Sequence, residues 1–176
     1  MPKSDFYYLD QELMEKICHP LAVTFLNRTN EPIPIFCTCN NSVLDSCLKL
    51  PQLVFNGQEL YPDLVSKAVI LYYSIIKNHP FVNGNKRIAT TSLAVFLYIN
   101  NFWLEAGQNF LYELALEVAK SEAGNADDVK RRIIEKIRPH VVPLIISGDK
   151  PKGNVGFLFN IKNLKNNFKK IIQWRK

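Results

Sequence analysis

Two apolar stretches of helical periodicity, Leu64 to Asn78 and Ile88 to Asn101, flank a polar loop from His79 to Gly84, and this arrangement limits the possible folds more than any other feature. In the first stretch Leu64, Ala68, Tyr72, Ile75 and Ile76 recur every three or four residues, behind a Pro62 suited to a first helical turn. In the second, Leu93, Val95, Phe96 and Tyr98 leave most faces hydrophobic. A helix that is apolar on most faces has to be enclosed by others. The spacing therefore predicts two central helices, with the loop joining the end of one to the start of the next.

Other segments read as the enclosing layer. Leu13, Met14 and Ile17 suggest a short helix from Asp10 to His19, stopped by Pro20, and the stretch from Leu21 to Asn41 reads mostly as loop. Ser42 ahead of Val43, Leu44, Cys47 and Leu48 has the look of a helix cap, with Pro51 as the stop. Val54-Phe55 and Leu60-Tyr61 around Asn56-Gly57 predict a small hairpin. Helical patterns return at Phe110 to Ala119 and Val129 to Ile137, and Phe102-Trp103 read as packing where the second central helix ends. The expected class is all-α with one hairpin.

With 176 residues and 47% hydrophobic content, the chain is suited to one packed domain. Breakers at Pro143, Gly148, Pro151 and Gly153 place the domain at 1–145 and a C-terminal extension at 146–176. In that extension Ile161, Leu164, Phe168, Ile171 and Ile172 form one stripe opposite lysines, which predicts a terminal amphipathic helix. The net charge of +6 comes mainly from this end, and a basic helix there could contact nucleic acid or simply present a solvated face. No apolar run approaches the ~18 residues of a membrane span, and no leader pattern heads the chain, so a cytoplasmic protein without a membrane partner is expected. Cys18, Cys37, Cys39 and Cys47 contain no C-x-x-C pair, which favours reduced thiols over a disulfide framework or zinc.

The loop itself carries the chemistry. A turn ending in Gly84-Asn85 and opening into a helix leaves backbone N–H groups pointing at whatever lies above the helix start, an anion cradle. Gly84 permits unusual backbone angles and close approach of phosphate oxygens, while Lys86 and Arg87 add cationic donors on the same turn. His79 has the side chain best suited to take a proton near neutral pH and is the candidate general base. Pro80 and Phe81 look structural, setting the loop's entry and anchoring it in the core. Cradle-forming Gly84, Asn85, Lys86 and Arg87 are the candidate nucleotide-binding residues, with His79 and Arg87 catalytic.

The run His79-Pro80-Phe81-Val82-Asn83-Gly84-Asn85-Lys86-Arg87 resembles the Fic/Doc signature H-P-F-x-[D/E]-G-N-[G/K]-R at every fixed position except Asn83. Leu50-Pro51, Phe55-Asn56-Gly57 and Glu59-Leu60-Tyr61-Pro62 are similar to the flap of death-on-curing relatives, and Ser74 to Asn78 is similar to the residues before their motif. The resemblance implies the Fic fold, a helical bundle with a β-hairpin flap beside the active-site loop. It also implies ATP and Mg2+ as cofactors and a protein hydroxyl as acceptor, held against the flap.

Within the family, members that attach AMP have Gly at the position of Lys86 and a second Arg at the position of Thr90. The death-on-curing branch shares Asn-Lys-Arg and lacks that Arg, and it is associated with phosphorylation of a translation factor. The resemblance thus implies a toxin transferring the γ-phosphate of ATP to a Ser or Thr hydroxyl. Adenylyl or other nucleotidyl transfer is the alternative. Asn83 stands where the family's acid holds Mg2+, and an amide is a weaker ligand for that cation, so a catalytically silent nucleotide- or partner-binding domain is a further reading. The [S/T]-x-x-x-E-[G/N] pattern of the family's inhibitory helix is missing from the sequence, which implies restraint by a separate antitoxin.

Overall fold

A computed structural model of the chain describes residues 6–26 and 30–144. Its first helical run has three parts: α1 (Gln11–Leu13), a π-helical segment (Met14–Cys18) and α2 (His19–Leu26). Asp10 starts it by accepting the Leu13 N–H at 2.9 Å. The expected stop at Pro20 is not there, and residues 21–26, expected as loop, are helical. An α-helix has no room for a proline ring against the carbonyl four residues back, but the wider π turn does. The His19 N–H reaches Met14 O instead, and Thr91 Oγ1 donates to the Cys18 carbonyl at 2.8 Å.

Helix α3 (Asn41–Lys49) is capped by Asn40, whose side chain accepts the Val43 N–H, and not by Ser42 as the sequence suggested. The hairpin forms between β1 (Val54–Phe55) and β2 (Gln58–Glu59), pairing Val54 with Glu59 and Phe55 with Gln58. Its turn residues Asn56 and Gly57 both have positive φ, 49° and 76°, as a tight hairpin turn demands. This places β2 two residues earlier than the apolar Leu60-Tyr61 pair suggested.

Helix α4 (Leu64–Asn78) begins two residues later than a proline at its first position would place it: Asp63 is the cap, accepting from Val65 and Ser66, and Pro62 precedes it. Every residue from Leu64 to Ile76 is buried, as is most of α5 (Asn85–Ile99), and the two helices pack against each other as the molecule's centre. Val69, Tyr72, Ile75, Ile76, Ile88, Leu93 and Phe96 have no exposed surface. Full burial of side chains of this kind contributes about 1.5–3 kcal/mol each.

Around them lie α1 to α3, α6 (Gln108–Lys120) and α7 (Ala126–Ile137), the last two inserting Leu111, Leu114, Val118, Val129, Ile133 and Ile137. Phe102 and Trp103 do not close a helix. They belong to β3 (Phe102–Leu104), which pairs antiparallel with β4 (Val141–Pro143) after Asn101, at φ 65°, has turned the chain. The partner strand is distant in sequence, so no local pattern announces it. Among the described residues no helix is long and apolar enough to cross a membrane. The expected boundary at 145/146 and the amphipathic helix beyond it fall outside the described residues.

Candidate active-site loop

Helix α4 ends at His79, which adopts the left-handed conformation at φ 47° and ψ 57° and is exposed. A non-glycine residue there costs energy, so the surrounding contacts must impose it. They do. The ring of Phe81 is buried beside those of His19 and Phe36, at centroid distances of 6.1 and 5.8 Å, and the Pro80 carbonyl accepts the Asn40 N–H at 2.8 Å.

Asn85 closes the loop from the other side. Its Oδ1 accepts the Phe81 N–H at 2.9 Å and its Nδ2 donates to the Phe81 carbonyl at 2.7 Å. These two partners settle which end of the amide is which. The same Nδ2 therefore faces Nδ1 of His79, at 3.4 Å. A donor on that side favours the neutral tautomer with its proton on Nε2. Asn85, expected in the backbone cradle, thus spends its side chain on loop shape and on the histidine.

Gly84 opens α5 at φ 82°, with no side chain capping the helix start. The first N–H groups of the helix are thereby left for a ligand, and the positive end of its dipole favours an anion. The glycine is required for a reason other than room for phosphate: a Cβ built there would lie 2.8 Å from Ile33 Cγ1. The stretch from Pro32 to Pro34 is strapped across the loop. Asn83 Nδ2 donates to the Pro32 carbonyl at 3.2 Å, Ile33 fills the space over Gly84, and His19 Nε2 donates to the Pro34 carbonyl at 2.7 Å. Nothing in the sequence of this stretch signals the role.

Asn83 uses both ends of its amide within the protein. Its Oδ1 accepts the Gly84 N–H at 2.7 Å, and its nitrogen is committed to Pro32. Among the described residues no group of three or more His, Cys, Asp or Glu side chains could hold a metal ion. Mg2+ prefers anionic oxygen. A protein contribution to Mg2+ at this loop would come from a single neutral amide oxygen, with phosphates and water supplying the other ligands.

The cations lie on the first turn of α5. Lys86 is exposed; Arg87 is half-buried, with Nη1 at 3.5 Å from the carbonyl of Leu26, the last residue of α2. Thr90 is buried and its hydroxyl donates to the Lys86 carbonyl at 2.9 Å, so this position supplies no second cation. Cys18 and Cys47 are free but buried, and burial pushes their thiols up, Cys18 to about 12, which makes both poor nucleophiles. One continuous segment, from the end of α4 to the first turn of α5, thus brings together every residue singled out from the motif.

Comparison with known proteins places residues 1–97 in the Fic/DOC family. The protein named Toxin Doc of Mycolicibacterium smegmatis is 41% identical over 64 residues, which is 36% of this chain and 49% of that protein. The match thus spans about half the length of that relative. No solved structure matches the chain.

Proposed function

We propose, for a chain that belongs to the Fic/DOC family, that the His79–Arg87 loop moves the γ-phosphate of ATP onto a Ser or Thr hydroxyl of a cytoplasmic protein. The observation that carries this reading is the uncapped start of α5, with Lys86 and Arg87 on its first turn and the exposed ring of His79 at the other end of the same loop. Phosphate oxygens would sit on the first N–H groups of α5, with Arg87 balancing the charge that develops on them. The hydroxyl oxygen attacks the γ-phosphorus, the bond from that phosphorus to the bridging oxygen breaks, ADP leaves, and the hydroxyl proton passes to His79. Because Asn85 favours the proton on Nε2, the ring accepts at Nε2 only after switching tautomer. Mg2+ supplied with the nucleotide would offset phosphate charge, and no step here depends on a protein ligand for it.

Lys86 in place of glycine and Thr90 in place of a second arginine support phosphate transfer over adenylyl transfer. The buried, helix-bonded Thr90 fits that choice. The likeness to a protein named Toxin Doc supports a toxin restrained by a separate antitoxin. A second reading has its own support: with both ends of the Asn83 amide committed, the loop suits a domain that binds nucleotide without catalysis.

Incubation of the protein with cell lysate and ATP labelled at the α or the γ position separates these readings. Phosphate transfer leaves γ-label on protein and no α-label. Adenylyl transfer leaves α-label, and a silent domain leaves neither while still binding ATP.

A further inference from the structure

The β1–β2 hairpin has little apolar anchorage of its own. Val54, Phe55 and Leu60 are 57%, 66% and 50% exposed, and the strands are closed at their base by the Leu60 N–H on the Leu53 carbonyl at 3.0 Å. A two-stranded hairpin of this size is marginal in water. What holds it comes from below. Lys67, in the first turn of α4, is fully buried, with Nζ 3.0 Å from the Pro51 carbonyl and 3.0 Å from Oε2 of Glu59 on β2. The rings of Phe6 and Tyr8 face the same ammonium, at 5.8 and 5.7 Å.

A charged group leaves water only where partners replace its hydration. Here the partners are a carbonyl three residues ahead of β1, the hairpin's second strand and the aromatic faces of Phe6 and Tyr8. The ammonium therefore links the two ends of the flap to α4, and α4 carries His79 at its far end, about 18 Å along the axis at 1.5 Å per residue.

We propose that Lys67 is a positioning residue for the protein acceptor: through Glu59 and Pro51 it fixes the hairpin on the helix that presents His79, so that an extended acceptor segment added to the hairpin lies in register with the loop. The inference rests on the transferase reading above. Removing the link frees the hairpin and weakens use of the acceptor, while the nucleotide cradle at the other end of α4 is untouched.

The full chain would be compared with Glu59→Gln, Glu59→Asp and Lys67→Met by amide hydrogen exchange and by binding of a fluorescent ATP analogue. In Glu59→Gln, amides of residues 53–60 are expected to exchange at least about tenfold faster, with α4, α5 and analogue binding unchanged. Glu59→Asp, which keeps the charge, should recover most of the protection. Lys67→Met should show the same flap-selective change; if it does not fold, the two Glu59 variants alone decide. With γ-labelled ATP, the lysate concentration giving half-maximal labelling should rise at least threefold in Glu59→Gln at an unchanged plateau. Unaltered exchange at 53–60 in Glu59→Gln, or a plateau that falls at unchanged half-saturation, overturns the role assigned to Lys67. Absence of label with the unmodified protein counts against the transferase reading instead, and the exchange data still decide the anchoring.

Discussion

The side-chain nitrogen of Asn83 donates to the backbone carbonyl of Pro32 at 3.2 Å, joining the loop between the two central helices to a stretch fifty-one residues earlier. The same side chain accepts the Gly84 N–H. An amide can make both bonds because it carries a donor and an acceptor; a carboxylate has only acceptors. The one position where the motif departs from the family pattern is therefore the position that fastens the strap.

Asn83→Asp tests this directly. A carboxylate placed against the Pro32 carbonyl loses the bond, so the amides of Ile33, Ile35 and Phe36 should exchange faster. The same carboxylate is a stronger ligand for Mg2+, so Mg2+ titration of the ATP-bound protein by calorimetry should show tighter binding than in the unmodified chain. Unchanged exchange and unchanged Mg2+ affinity together would remove both the latch and the metal argument.

His79→Ala should lower transfer by about 100- to 10,000-fold, the range for loss of a general base, while ATP binding stays within a few-fold. Equal loss of binding would mark the residue as part of the cradle's framework.

Gly84→Ala should destabilise the fold. The left-handed backbone alone costs on the order of 1–3 kcal/mol for a non-glycine residue, and the new methyl meets Ile33 Cγ1 at 2.8 Å. Adding Ile33→Ala relieves the contact but not the backbone strain, so urea denaturation should show partial recovery relative to the Ile33→Ala protein alone. Full additivity of the two losses would mean that Ile33 does not press on this position.

Asn85→Asp keeps the acceptor for the Phe81 N–H but loses the donor to the Phe81 carbonyl, a cost on the order of 1–3 kcal/mol for a buried group left unpaired. Because the donor facing His79 Nδ1 goes with it, the histidine's imidazole nitrogen shifts in an NMR spectrum should move toward the Nδ1–H tautomer. No movement would dissociate Asn85 from the histidine.

Glu117 gives a prediction in pH. Burial alone would raise its carboxyl, but hydrogen bonds from Lys136 and Arg132, at 2.6 and 3.1 Å, outweigh that and hold it below its ordinary 4.5. A carboxyl lowered in the folded state contributes stability above its unfolded value and loses it as pH falls through the folded one. Thermal unfolding of Glu117→Gln should thus drop less steeply than the unmodified protein on acidification below 4.5. Parallel curves would show that the ion pairs contribute nothing.

The two central helices, the hairpin turn and the loop that carries the site were legible in the residues because each rests on local rules: apolar periodicity for Leu64 to Asn78 and for the α5 stretch, the Asn56-Gly57 turn pair, and the motif between His79 and Arg87. Those rules misplaced what depends on a partner distant in the chain. Pro20 does not stop a helix once a π turn makes room for its ring; Phe102 and Trp103 become a strand because Val142 and Pro143 return beside them; and Gly84 is needed as much for Ile33 as for any ligand. The surroundings of Asn83 emerge only from the folded chain. Whether Asn83 is a weak metal ligand or a latch depends on the carbonyl lying opposite it, and that carbonyl comes from a stretch whose own sequence has no period. Periodicity reports which face of an element is buried; it carries no information about which backbone group from elsewhere will meet a given side chain.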